Sequence, residues 1–324
     1  MRLTAASLGL AALGFAAPAA LAETWDMPLA YPATNFHSET AAAFAACVGE
    51  ATGGALQIVT HPGGALYGGA EIKRAVQTGQ TPIGERLLSA HQNEKPIYGV
   101  DSIPFLVSSF DEHEKLWEIA APHVAEALAE DGLVYLYSVP WPPQGLYMNR
   151  AVAAADDLKG VKFRSYSAAT ARLAELTGMT PVQVEAAELS QALATGVAES
   201  FVSSAATGYD TKVWEHLSHF YEVDAWLPRN AIFANKAAFD ALDAAAQSAL
   251  TDCAAKAKAE GLARSKAYTT RTLDGLKAGG MEVGRAEPAL VEALKAIGAT
   301  MTEEWLASAG ETGRAVVDAY RAGN

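Results

Sequence analysis

The chain has 324 residues, half of them hydrophobic, with a formal net charge of −13 and two cysteines. Such acidity argues against nucleic acid and anionic membrane surfaces as partners, although a cleft can still set a local field that suits a small anion. Cys47 and Cys253 show no CxxC or Cys/His spacing, so nothing points to a metal or other cofactor; an even count permits one disulfide, or two buried thiols on Ala-rich helices.

The first residues read as a secretory leader. Arg2 gives the positive start, Leu8 to Pro18 an uncharged apolar core, and Ala20-Leu21-Ala22 a small-x-small cleavage site. Residues 1–22 are therefore expected to be a signal peptide that carries the protein out of the cytoplasm. The apolar run is too short to span a bilayer and no later one is long enough, so no membrane insertion is expected.

"TWDMPLA" then predicts a strand. "SETAAAFAACVGEATGG" predicts a helix, with Ser38 as N-cap and Gly53-Gly54 as the stop. "ALQIVTHP" is a strand, "GGAEIKRAVQTGQ" a helix and "TPIGERLLS" a strand with its exit. In "SSFDEHEKLWEIAAPHVAEALAEDG", Ser109 and Glu112 fit a capping box, and Pro122 predicts two helices or a kink. "LVYLYSVP" reads as a strand buried on both faces. A second unit follows: strands "GLYMNRAV" and "GVKFR", helix "SAATARLAELTG", strand "PVQV", helix "AAELSQALATG" and strand "AESFVSS", an alternation that requires parallel pairing. "HFYEVDAWL" and "AIFAN" are further strands. One long helical stretch runs from Lys236 to about Lys277, and two more follow "MEVG". The pattern is α/β.

In such a fold, ligands sit beyond the carboxyl ends of parallel strands. Arg164 ends the strand "GVKFR" where a helix begins, with Ser165 and Ser167 as candidate caps and Tyr166 between them. A guanidinium fork beside free helix N–H groups suits a carboxylate; the competing role is an internal pair with a neighbouring acid. Glu85 and Arg86 stand at another strand exit, where a local ion pair is the first expectation. Asn35 and His37 lie between the first strand and first helix, where a lone His more often makes helix-entry hydrogen bonds. The aromatics Trp141, Tyr147, Trp214 and Trp226 fall near the junctions of the two units. No GxSxG, HExxH, GxGxxG or P-loop is present.

With these residues in view, the chain resembles the periplasmic solute-binding proteins of TRAP transporters, the DctP-like family. The resemblance rests on "EATGGALQIVTHPGGALYGGAEIKRAVQTGQTPIG", "VDSIPFL", "DLKGVKFRSY", "TPVQVEAAELSQALATGVAES" and "AIFANKAAFDALDAAAQSAL", in family order. It implies two α/β lobes around a cleft, joined by strands and by a long helix that spans both. The expected lobes are 23–143 with 231–270, and 144–230 with 271–324. It further implies a small organic acid held by Arg164, integral-membrane TRAP subunits as partners, a monomer, and no catalysis. The chain departs from the family at "VAESFVSSAATGYD", which offers Phe201, Ser203, Ser204, Thr207 and Tyr209 to the ligand. Glu85, Arg86, Trp226 and Asn230 are candidate selectivity residues. The ligand stays open among mono- and dicarboxylates and sulfonates. A dicarboxylate would need a second cation, Arg86 or Arg229, while the hydroxyl-rich segment leans towards a monocarboxylate. Two rivals remain: a periplasmic enzyme using Glu85 with His37 as an acid/base pair, and a sensory receptor.

Overall fold

The computed structural model describes residues 22–323. The expected leader therefore lies, but for Ala22, outside the described residues. In chain order the elements are β1 (Glu23–Pro28), α1 (Phe36–Ala51), β2 (Leu56–His61), α2 (Ile72–Gln77), β3 (Ile83–Leu87), α3 (Phe110–Glu130) and β4 (Leu133–Pro140). Next come β5 (Gln144–Met148), β6 (Lys162–Ser165), α4 (Ala168–Thr177), β7 (Thr180–Gln183), α5 (Leu189–Ala194), β8 (Ser200–Ser204), α6 (Ala205–Asp210) and β9 (His219–Glu222). The chain closes with β10 (Arg229–Asn235), α7 (Lys236–Ala241), α8 (Ala244–Ala278), β11 (Glu282–Arg285) and α9 (Pro288–Ala322).

Two bodies of sheet result. On one side, β1 pairs with β2 in parallel beside an antiparallel trio in the order β3-β10-β4. On the other, a mixed sheet runs β11-β9-β5-β8-β6-β7, and β6 is parallel to both β7 and β8 as the strand–helix alternation requires. Two strand-to-strand crossings join them, from β4 to β5 and from β9 to β10, and a third connection leads from β10 through α8 back to β11 in the second sheet. Backbone bonds tie the crossings together: Trp141 N–H donates to Pro228 O at 2.8 Å and Gln144 N–H to Trp226 O at 2.9 Å.

Helix α8 runs for 35 residues, roughly 52 Å. It packs on α1 and β4 at one end and on α6 and β11 at the other, so it spans both lobes. Its approach to β4 depends on Gly261, where a Cβ would sit 2.4 Å from Val139 Cγ2. Cys47 on α1 is disulfide-bonded to Cys253 on α8, which settles the open cysteine question.

Local signals explain where boundaries differ from expectation. The first helix starts two residues before Ser38, because Asn35 Oδ1 accepts the His37 N–H at 2.9 Å and caps it; the Ser38 hydroxyl instead donates to Tyr31 O. The long helical stretch from Lys236 breaks at Leu242–Asp243, where the Asp243 carboxylate accepts the Ala246 N–H at 2.8 Å and starts α8 afresh. Helix α3 runs unbroken through Pro122. The final helical segment is divided at Gly310, whose φ of 63° is open to glycine and strained for other residues. No helix among the described residues is long and apolar enough to cross a membrane.

Candidate ligand-binding cleft

The strands β1, β3, β6, β7 and β8 all end towards one cavity between the two bodies of sheet. It holds about 430 Å³ of atom-free space, part of it open to solvent. Arg164 and Tyr166 reach it from the exit of β6, Gln144 from β5, Glu185 from beyond β7, and Ser203 and Thr207 from β8 and α6. From the opposite side come Tyr31, after β1, Arg86, at the end of β3, and Trp141, at the β4–β5 crossing.

Strand alternation decides which side chains arrive. On β6, Phe163 is wholly in the core and Arg164 takes the other face. Arg164 is 3% exposed, its Nε donates to Val184 O at 2.8 Å, and it forms no ion pair with any described carboxylate. Its terminal nitrogens remain for the cavity, and the guanidinium carbon lies 5.0 Å from the Tyr166 ring centre. Burial lowers its pKa from the usual value, but a guanidinium has the margin to stay charged. The expected free N–H groups at the start of α4 are partly spent. Thr170 Oγ1 accepts from Tyr166 N–H and Ser167 N–H, each at 3.0 Å, and Ser167 Oγ caps the Thr170 N–H. The guanidinium is therefore the main positive group at this strand exit.

Polar atoms surround this charge. Tyr166 Oη donates to Gln144 Oε1 at 3.2 Å and accepts from Trp226 Nε1 at 3.2 Å. Ser203 Oγ donates to Thr207 Oγ1 at 2.7 Å. Burial raises both tyrosines, Tyr31 to about 12 and Tyr166 further, so both hydroxyls stay protonated and neutral.

Of the residues singled out from sequence, Arg164, Arg86, Tyr166 and Ser203 are brought together on the cavity wall. Asn35 lines an adjoining hollow, where its Nδ2 donates to Asp210 Oδ2 at 2.7 Å. Tyr147 does not line the cavity. It lies three residues beyond Gln144 on β5, hence on the opposite face, where it stacks flat on Phe201 at 4.3 Å and donates to Ser204 O. Trp226 also sits behind the wall, holding Tyr166.

Glu85 and Arg86 do not pair with each other, because consecutive strand residues face opposite ways. Arg86 instead meets Glu185 at 3.2 Å across the cleft. Glu85 is fully buried behind the wall and accepts from Asn230 Nδ2, and burial pushes its carboxyl up to about 7. His37 lies 3.5 Å from Glu85, but burial and the Arg229 charge hold its imidazole well below its ordinary pKa, so this contact is no ion pair at neutral pH. Neither group touches the cavity, which removes the geometry an acid/base pair acting on the ligand would need. Arg229, the other candidate second cation, is buried elsewhere against Glu114, Ser138 and the Trp117 ring.

Trp141 and Thr207, also named from the sequence, stand on the wall as well, while Tyr31, Gln144 and Glu185 complete it without having been singled out. Tyr31 had a usable signal, since it follows the first strand directly. Among the described residues no group of three or more His, Cys, Asp or Glu side chains is placed to hold a metal ion.

The model of "Bacterial extracellular solute-binding protein, family 7" matches residues 30–308. A marine-metagenome TRAP solute-binding protein specific for pyroglutamate, solved with co-purified pyroglutamate, is 54% identical. It superposes with a TM-score of 0.91 over 93% of this chain and 99% of that one. DctP6, a Bordetella pertussis extracytoplasmic solute receptor binding pyroglutamic acid, is 45% identical, with a TM-score of 0.90 over 92% of this chain and 99% of that one. The uncharacterized protein YiiZ of Salmonella typhimurium is 28% identical over 158 residues, 46% of this chain; the match spans about half of that curated relative's length.

Proposed function

The chain belongs to the bacterial extracellular solute-binding proteins of family 7, and we propose that it captures pyroglutamate, or a close monocarboxylate, in the cleft between its lobes. The lobes, 23–143 with 231–270 and 144–230 with 271–324, close over the ligand by hinge motion at the two crossings. The closed form then presents the acid to integral-membrane TRAP subunits at the periplasmic face. No covalent step is involved.

The observation that carries this is Arg164: a buried cation on the cavity wall with no carboxylate paired to it among the described residues. A ligand carboxylate is the partner it lacks. Around it, Tyr166, Gln144 and the Ser203–Thr207 pair supply donors and acceptors for a lactam carbonyl and N–H, while Trp141 and Tyr31 offer apolar faces to a small ring. The test is calorimetric titration of ligand-free protein with L-pyroglutamate and a panel of small acids, paired with mass spectrometry of anything released on denaturation. Saturable heat with pyroglutamate is expected; none with any organic acid would overturn the assignment.

A further inference from the structure

Arg86 and Arg164 approach the cavity from opposite sheets, and two consecutive residues beyond β7 hold both. The Val184 carbonyl accepts from Arg164 Nε at 2.8 Å. The Glu185 carboxylate meets Arg86 fork to fork, Nη1 to Oε2 at 3.2 Å and Nη2 to Oε1 at 3.3 Å. Gly69 lies directly over this pair: an added Cβ would come within 2.5 Å of Arg86 Nη1 and 2.9 Å of Glu185 Oε2. The cavity wall thus carries two guanidinium groups and one carboxylate, and the tyrosines beside them are neutral. It presents one uncompensated positive charge, at Arg164.

We propose that Glu185 is a specificity-determining residue that makes a two-arginine pocket selective for monoanions, by occupying the guanidinium a second ligand carboxylate would need. A dianion entering with one end on Arg164 must either evict Glu185 from Arg86 or place its second carboxylate beside that of Glu185. Both are unfavourable: the first strands a part-buried acid, and the second sets like charges together out of water. A monoanion meets neither obstacle. The proposal rests on the organic-acid reading of the cavity and deepens it.

The test compares the dissociation constants of glutarate, a dianion, and pyroglutamate, a monoanion of the same carbon count, by calorimetry. The native protein should bind pyroglutamate and strongly disfavour glutarate. In Glu185→Gln the glutarate-to-pyroglutamate ratio should fall by about tenfold or more. Adding Arg86→Gln to that variant should restore the high ratio. Glu188→Gln, which removes an exposed charge nearby, should leave the ratio unmoved. Should Glu185→Gln fail to fold, Glu185→Ala makes the same comparison. An unmoved ratio in the folded Glu185 variant, an equal fall in Glu188→Gln, or native protein that binds both acids alike would overturn the proposal. Native protein that binds no organic acid would instead overturn the reading of the cleft itself.

Discussion

Asn230 donates its side-chain amide to Glu85 Oε1 at 2.5 Å, deep behind the cleft wall. Its other amide atom, Oδ1, accepts from Trp141 Nε1 at 2.7 Å, and indole N–H is only ever a donor, which fixes the amide orientation. Asn230 therefore links a buried carboxyl, on β3, to an aromatic on the cavity wall. Of the candidate selectivity residues from the sequence, Glu85, Asn230 and Trp226 thus reach the wall through intermediates, while Arg86 stands on its surface.

Glu85 gives the stability a pH dependence. Burial raises its pKa from 4.5 to about 7 in the folded protein, outweighing the Asn230 hydrogen bond and the Arg86 charge. A carboxyl raised in the fold holds its proton more tightly than in the unfolded chain. Its contribution is therefore fully present below pH 4.5 and is lost as pH rises through 7. Glu85→Gln keeps an acceptor for Asn230 and removes the titration. Chemical denaturation on either side of this window should show the native protein losing, relative to the variant, on the order of 3 kcal/mol as pH rises. Parallel curves for the two proteins would place the raised carboxyl elsewhere.

Arg164→Ala should weaken pyroglutamate binding by about 2–5 kcal/mol, since it leaves the ligand carboxylate buried without its cation. Arg164→Lys should recover only part of the loss: an ammonium restores the charge but not the two-pronged geometry or the plane that lies over Tyr166. Calorimetry on both variants reads this directly. Native-like affinity in Arg164→Ala would take the arginine out of the binding site.

How legible this site was in the sequence follows from the range of the signals. Arg164 could be placed because strand exit, alternation and helix start are all encoded within ten residues of it. The same alternation, counted from Gln144, separates Tyr147 from the cavity, but the start of β5 was not sharp enough in sequence to count from. Glu85 and Arg86 looked like a local pair; on a strand they point apart, and Arg86 finds Glu185, 99 residues away. That partner arrives from the other sheet, so no short window records it. The parallel pairing of β6 with β7 and β8 was readable because βαβ connections leave few topologies. The break at Leu242–Asp243 was missed because an Ala-rich run hides a cap whose side chain reaches forward to the Ala246 N–H.

Tyr147 should behave as core. Tyr147→Phe removes the hydrogen bond to Ser204 O but keeps the stack on Phe201. The expected cost is about 1 kcal/mol of stability, with the dissociation constant for pyroglutamate unchanged. Thermal denaturation and calorimetry on one preparation separate the two effects. A large loss of affinity with little loss of stability would return Tyr147 to the ligand.

The Cys47–Cys253 bridge joins α1 to α8 across 206 residues of chain. By chain entropy a loop this long is worth about 5 kcal/mol, and native disulfides measure roughly 2–5 kcal/mol when removed. Both cysteines lie outside the residues that line the cleft, so the bridge acts on the fold rather than on ligand contacts. A reductant should lower the Tm of the native protein by several degrees. The double variant Cys47→Ala/Cys253→Ala should show the same lowered Tm with or without reductant. Pyroglutamate affinity, measured well below that Tm, should match the native value in both cases. A reductant effect that persists in the cysteine-free variant would mean that the bridge is not its target.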